Sequence, residues 1–184
     1  MTTLAGIFVG GAGRRMGGLA KGLLRAGDGS TIVERWRRLL DGRGVPAVLV
    51  GAGEAYAPLR MEVVHDEPAG IGPLGGLLAL LRRAGADAAL ALACDMPFVS
   101  GAIIDRLLTT APEASILAPR RAGLWEPLCA RYDPRRVLPV AASRARSRDH
   151  SLQALLDEAG AVELALAPGE EHDLRDWDAP EDVV

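Results

Sequence analysis

Three stretches of this 184-residue chain hold side chains that could do chemistry on a phosphate. The first, FVGGAGRRMGGLAKG over Phe8 to Gly22, places five glycines and two arginines ahead of Lys21. Glycines let backbone N–H groups close on an anion, and Arg and Lys neutralise it. The loop is not a Walker A motif, because Gly13 and Gly18 have that spacing but Leu19 follows instead of lysine; it is not a dinucleotide fingerprint, because Met16 stands at the third glycine position. A tight strand-to-helix connection would use the same glycines, so two readings stay open. The second stretch, ACDMPF over Ala93 to Phe98, puts Asp95 at the end of an apolar run. A carboxylate there is costly to bury unless it binds a cation or caps a helix. Ser100 is the better cap, and a Mg²⁺ site made of one or two carboxylates plus substrate phosphates fits Asp95. The third, HDEPAGIGPLGG over His65 to Gly76, carries Asp66 at a strand end, followed by a loop into a helix N-terminus that can receive an anion. Asp66 could accept hydrogen bonds from a base or ribose, or serve as an ordinary turn carboxylate.

Composition singles out Lys21. Of the 21 basic residues 20 are arginine, there is no asparagine, and Gln153 is the one glutamine. A lone lysine in such a chain is either a surface remnant or a place where a compact ammonium is needed and a planar guanidinium does not serve.

The elements that must position these residues alternate in type. Leu4–Val9, Pro46–Val50, Met61–Val64, Ala88–Ala93, Ser115–Ala118, Leu128–Tyr132 and Val162–Leu166 read as strands. Thr31 and Glu34 form a capping box opening a helix to Leu40; Gly72-Pro73 opens one from Leu74 to Arg83 that Gly85 closes. Ser100 caps a helix to about Thr110, and Pro134–Ala142 and Leu152–Ala159 complete the set. Only Ala142–Asp149, with Arg144, Arg146 and Arg148, reads as a mobile loop. This β-α-β order predicts an α/β fold: a single domain over residues 1–184, doubly wound, with a mostly parallel sheet and helices on both faces, and its ligand at the carboxyl ends of the strands.

Charge and composition exclude several classes. With 24 acidic residues the net charge is −3, which argues against a general nucleic-acid or membrane-surface binder. Cys94 and Cys129 are too few for a disulfide framework or a four-ligand zinc site and read as small buried apolar residues. His65, His150 and His172 lack ligand spacing. The longest uncharged run, Pro68 to Leu81, is 14 residues and broken by Pro and Gly, so no bilayer-spanning helix is expected. The apolar Leu4–Val9 precedes Arg14 and Arg15, the reverse of a secretory signal, and a reducing cytoplasm is the expected location.

Taken together, these residues resemble the molybdenum cofactor guanylyltransferases within the glycine-rich-loop nucleotidyltransferases, whose signature runs LAGG, RMGG, DKG. The remaining pieces follow in family order: Asp66 ahead of GPLGG, then DMPF, EPLCARY from Glu126 to Tyr132, and APED from Ala179 to Asp182. The resemblance implies a Rossmann-like nucleotidyltransferase that moves GMP from Mg·GTP to the terminal phosphate of molybdopterin and releases pyrophosphate. It implies that Phe8, Val9, Gly10 and Gly11 contact the nucleotide, that Lys21 binds its phosphates with Arg15 assisting, that Asp66 holds the guanosine part and that Asp95 binds Mg²⁺. A transient protein partner delivering the pterin is compatible with it. The chain departs from the pattern at Ala20, where the family has Asp; at Gly51 and Gly53, where it has asparagines; and at Asp176 and Asp178, which stand in its C-terminal NxN segment. Cytidylyl or other nucleotidyl transfer, and a nucleotide-binding protein without catalysis, are the alternatives. Trp125 and Trp177 are either walls for a flat pterin or core residues, the latter favoured.

Overall fold

The computed structural model describes residues 2–10, 20–26, 28–51 and 53–177. Its main sheet has seven strands. β1 (Thr3–Phe8), β2 (Ala47–Val50) and β3 (Val63–Val64) step outward in parallel; β4 (Ala88–Ala93) then returns to the other side of β1, paired with it from Thr3↔Ala88 to Phe8↔Ala93. Beyond β4 lie β8 (Cys129–Tyr132), β5 (Ile116–Ala118) and β9 (Val162–Glu163), with β8 antiparallel to both neighbours. The winding therefore reverses between β1 and β4, the arrangement that opens a crevice at the carboxyl ends of those two strands.

Strand alternation sorts the core onto two faces. Ile7, Leu90, Leu92 and Leu117 meet α1 (Ile32–Asp41) and α3 (Gly101–Thr109) on one face. Leu4, Phe8, Val50 and Ala91 meet α2 (Pro73–Ala84), α4 (Pro134–Ala145) and α5 (Leu152–Glu158) on the other. Gly6 sits in the middle of β1 because a methyl there would come within 2.6 Å of Leu80 Cδ2 and 2.8 Å of Val50 Cγ2; its absence lets α2 settle on the sheet. The helix ends behave as their sequences dictate. Thr31 Oγ1 accepts from the Glu34 amide at 3.2 Å while Glu34 Oε2 accepts from the Thr31 amide at 2.8 Å; Gly72 and Pro73 open α2, and Gly85 closes it at φ 66°. Ser100 accepts from the Ile103 amide at the start of α3.

Two features differ from the sequence reading. A hairpin of β6 (Arg120–Arg121) and β7 (Leu124–Trp125) turns through Ala122 and Gly123, both at positive φ, as a two-residue turn between twisted strands demands. Gln153 fastens it: the Trp125 amide donates to Gln153 Oε1 at 2.9 Å and Gln153 Nε2 donates to the Trp125 carbonyl at 2.8 Å. The expected mobile loop Ala142–Asp149 is the second: α4 continues to Ala145, and Arg144, ion-paired with Asp149 and with Glu158 at 2.6 Å, ties the segment to α5.

Arg131 lies in β8 at 2% exposure. Its Nη1 donates to the carbonyls of Leu107 and Thr110 at 3.0 Å each, and Nη2 donates to the Ala111 carbonyl, so one guanidinium satisfies the carbonyls left open where α3 ends. Burial pulls its pKa below the usual guanidinium range, opposed by Glu113 and Asp133 at a distance. Arg131→Leu would leave those carbonyls buried and unpaired, at a cost of about 3 kcal/mol or more. Thermal unfolding should show a loss of roughly 6–12 °C for a chain of this size; a loss under about 2 °C would mean that water replaces the guanidinium at the helix end.

Candidate active site

The crevice at the β1–β4 switch gathers six of the predicted residues, Phe8, Val9, Gly10, Lys21, Asp66 and Asp95, from four separate stretches. Phe8 ends β1 and its carbonyl accepts from the Cys94 amide at 3.2 Å; the Val9 amide donates to the Val50 carbonyl at 2.9 Å. Gly10 then runs so close to Gly51 that a Cβ on Gly51 would lie 2.8 Å from both the Cα and the N of Gly10, and Gly51 has φ 105°. Gly53 faces Tyr56, whose ring would meet a Cβ at 2.8 Å. At both positions where asparagine was expected by resemblance, the local backbone or ring leaves little space for a side chain.

Lys21 opens a 3₁₀ turn, Lys21–Leu23. The next residue, Gly22, packs against Val33 and Tyr56, and its amide donates to the Tyr56 hydroxyl at 3.1 Å. Burial pushes that hydroxyl's pKa up to about 12, so it stays a neutral hydrogen-bonding group. The turn aims the Lys21 ammonium at Asp95: Nζ lies 3.1 Å from Oδ2 and also donates to the Trp177 carbonyl at 2.9 Å. The Trp177 amide in turn donates to the Asp95 carbonyl at 2.8 Å, so one peptide segment grips both catalytic candidates. Burial raises the Asp95 carboxyl pKa; Lys21 opposes this and Asp176 adds to it. Ala20 joins the apolar cluster beside α1, which gives a packing reason for the missing carboxylate.

Asp66 lies on the opposite flank. A Cβ on Gly76 would meet Asp66 Oδ1 at 3.0 Å and Phe8 Cε1 at 3.1 Å, and one on Gly75 would strike the Pro68 carbonyl at 2.3 Å. The two glycines thus let the first turn of α2 close on Asp66 and on the end of β1. Partial burial raises the Asp66 pKa, His65 opposing.

A charged network next to this pair was not singled out by sequence. Arg121 on β6 binds Glu126 through Nε at 2.7 Å and Asp176 through Nη2 at 3.1 Å. Burial raises the Glu126 pKa, Arg121 counters it, and the negative fields of Asp176 and Asp95 add to the rise. Glu126 carries the signal that marked Asp95, an acid beside an apolar strand, but Arg121 depends on a hairpin too short to show periodicity. Trp125 and Trp177 are buried core residues. Cys94 and Cys129 are buried too, and burial pushes both thiols up to about 12. Gly11, Arg15, Asp178 and the Ala179–Asp182 segment lie outside the described residues. Among the described residues no helix is long and apolar enough to cross a membrane.

Residues 5–163 match the MobA-like NTP transferase domain. The chain is 36% identical to a molybdenum cofactor guanylyltransferase of Pseudomonas putida, covering 83% of this chain and 82% of that one. It is 31% identical to the enzyme of that name from Pseudomonas entomophila, covering 95% and 93%. The fold is similar to molybdopterin-guanine dinucleotide biosynthesis protein A from Archaeoglobus fulgidus (TM-score 0.77, 23% identity, 98% of this chain and 94% of that one). It is also similar to 2-C-methyl-D-erythritol 4-phosphate cytidylyltransferase from Thermus thermophilus (TM-score 0.72, 17% identity, 100% and 96%).

The contact between Gly10 and Gly51 sets a sharp expectation. Gly51→Ala should cost about 1–3 kcal/mol, because a positive φ and a backbone clash act together, and should weaken triphosphate binding measured by calorimetry. Gly53→Ala meets only a side chain at an extended φ and should cost less. Equal effects of the two substitutions on melting temperature would count against the close approach of the two strand ends.

Proposed function

The chain belongs to the MobA-like NTP transferase family, and from that premise we propose that it transfers GMP from GTP to the terminal phosphate of molybdopterin, releasing pyrophosphate. The observation that carries this reading is the meeting of the sole lysine with Asp95, Nζ to Oδ2 3.1 Å, at the switch between β1 and β4. In the reaction an acceptor phosphate oxygen attacks the α-phosphorus, the bond to the pyrophosphate oxygen breaks, and no covalent enzyme intermediate is needed. The protein's task is to align two anions and offset their repulsion. Phe8, Val9 and Gly10 line the nucleotide's path, the family resemblance adds Gly11 and Arg15, and the Lys21 ammonium screens charge on the phosphates. Asp66, for which no hydrogen-bond partner is found among the described residues, accepts from the guanosine part. The guanylyl assignment is supported by the curated relatives of that name; the likeness to a cytidylyltransferase concerns the fold alone.

The residues present fit a divalent cation, which we take to be Mg²⁺. Among the described residues no group of three or more His, Cys, Asp and Glu is placed to hold a metal. Asp95, its side chain 26% exposed, supplies one carboxylate and leaves the other positions to phosphate oxygens and water, the usual arrangement for Mg²⁺ on a triphosphate. When bound, the ion supplies Lewis-acid polarisation of the phosphate. We further propose that residues 1–184 act as one transferase domain in the cytoplasm, on small-molecule substrates and not on nucleic acid or membranes, and that a transient protein partner delivers the pterin.

Pyrophosphate release measured with GTP, CTP and ATP in the presence of the pterin acceptor should be fastest with GTP; a preference for CTP would overturn the guanylyl reading. Lys21→Arg should lower triphosphate affinity or turnover by about tenfold or more, since a planar fork cannot take the place of a compact charge in the turn, and wild-type kinetics would make the lysine a bystander. Asp95→Asn should lower metal affinity and turnover together. The Asp95 pKa is raised in the folded protein, so its ionised form lowers stability as pH rises through that value. At pH 7 the Asn variant should therefore melt no lower than wild type, and a destabilised but fully active variant would exclude the metal role.

A further inference from the structure

The last described segment, Arg175–Trp177, carries no regular structure, yet its Trp177 peptide groups contact both Lys21 and Asp95. What holds this strap in place is therefore part of the site. Leu174 and Trp177 are buried in the α1/α3 cluster, and the Trp177 ring meets Phe98 edge-on with centroids 6.2 Å apart. These apolar contacts set the depth of the strap, and the Trp177 amide bond to the Asp95 carbonyl at 2.8 Å and the Arg175 guanidinium over the Phe98 ring, 5.4 Å from its centroid, restrain it further. Between Leu174 and Trp177, an ion pair to another element is formed at Asp176, by Arg121 across the hairpin at 3.1 Å. Arg121 is itself oriented by Glu126 at 2.7 Å, and β6 is paired to β7, which Gln153 clamps to α5. A continuous series of contacts runs from α5 through the hairpin and Arg121 to Asp176, and one residue further to the carbonyl that accepts from Lys21.

We propose that Arg121 is a positioning residue: by holding Asp176 it orients the Trp177 peptide and so fixes the Lys21 ammonium beside Asp95. The guanidinium suits this because it spans two carboxylates, Nε to one and Nη2 to the other, in a planar geometry that a lysine could not reproduce. It also screens Glu126 and Asp176, whose negative fields both reach Asp95. The role in transfer rests on the nucleotidyltransferase reading; the mechanical link does not.

The single lysine gives a direct readout. Trace acetylation by an activated ester, followed by peptide mass analysis, reports how firmly the Lys21 ammonium is held in nucleotide-free protein. Arg121→Gln and Asp176→Ala should each speed labelling at Lys21 by about threefold or more, and the double variant should be no faster than the faster single one, because both cut the same link. Turnover should fall by about fivefold or more in both, again without addition, while KM for the pterin acceptor moves less than about twofold. Both side chains are roughly one-third exposed, so the melting temperatures should stay within a few degrees of wild type. Unchanged Lys21 labelling in folded Arg121→Gln would overturn the proposal, as would additive effects or a rise confined to acceptor KM, which would place Arg121 against the acceptor instead. A wild-type protein that shows the labelling pattern but releases no pyrophosphate would sink nucleotidyl transfer and leave the link itself supported.

Discussion

The parallel pairing of β1 with β4 is the interaction on which the rest of the structure depends. Six consecutive register pairs bring the end of β1 level with the end of β4, so the backbone of Phe8 and the start of the Cys94–Asp95 turn emerge side by side. Because the chain winds away from this pair in opposite directions, a crevice opens above it. Gly10, leaving one strand, and the Asp95 carboxylate, leaving the other, then face a common crevice, and the remaining elements bring Lys21, Asp66 and Trp177 to its rim.

Charge balance at that rim follows a second constraint. Lys21 and Arg121 face three acids, Asp95, Asp176 and Glu126. Among the described residues, two cations against three carboxylates make this flank mildly negative, so these side chains alone would repel a triphosphate.

How much of this was legible in the sequence depended on the distance over which each signal acts. Helix starts and stops are local: Thr31 with Glu34, Gly72 with Pro73, and Gly85 each bind groups within a few residues, and each lies where the pattern placed it. Asp95 was legible because a carboxylate after a six-residue apolar strand is a local anomaly. Gly51 and Gly53 read as missing asparagines, and only the approach of Gly10 and the Tyr56 ring shows why small residues stand there. Arg144 read as part of a mobile loop, yet acids near α5 tie it down, and Arg131, which no pattern marked, is drawn inward by the carbonyls at the end of α3. Arg121 and Asp176 are 55 residues apart, and no local pattern announces such a pair.

The central position of β1 has a kinetic consequence. Its partner on one side lies about 40 residues downstream and on the other 85, as the pairings Ala5↔Ala47 and Thr3↔Ala88 show. The strand synthesised first thus waits until Ala93 is made before it is flanked on both sides, and closing that longer loop carries an entropy term that nearby contacts cannot offset in advance. Until β4 emerges, the glycine-rich segment is tethered to an open edge of apolar backbone. The crevice between β1 and β4 cannot form before β4 does, although one of its walls is encoded near the start of the chain, and a nascent chain interrupted before Ala93 exposes the edge that β4 would cover.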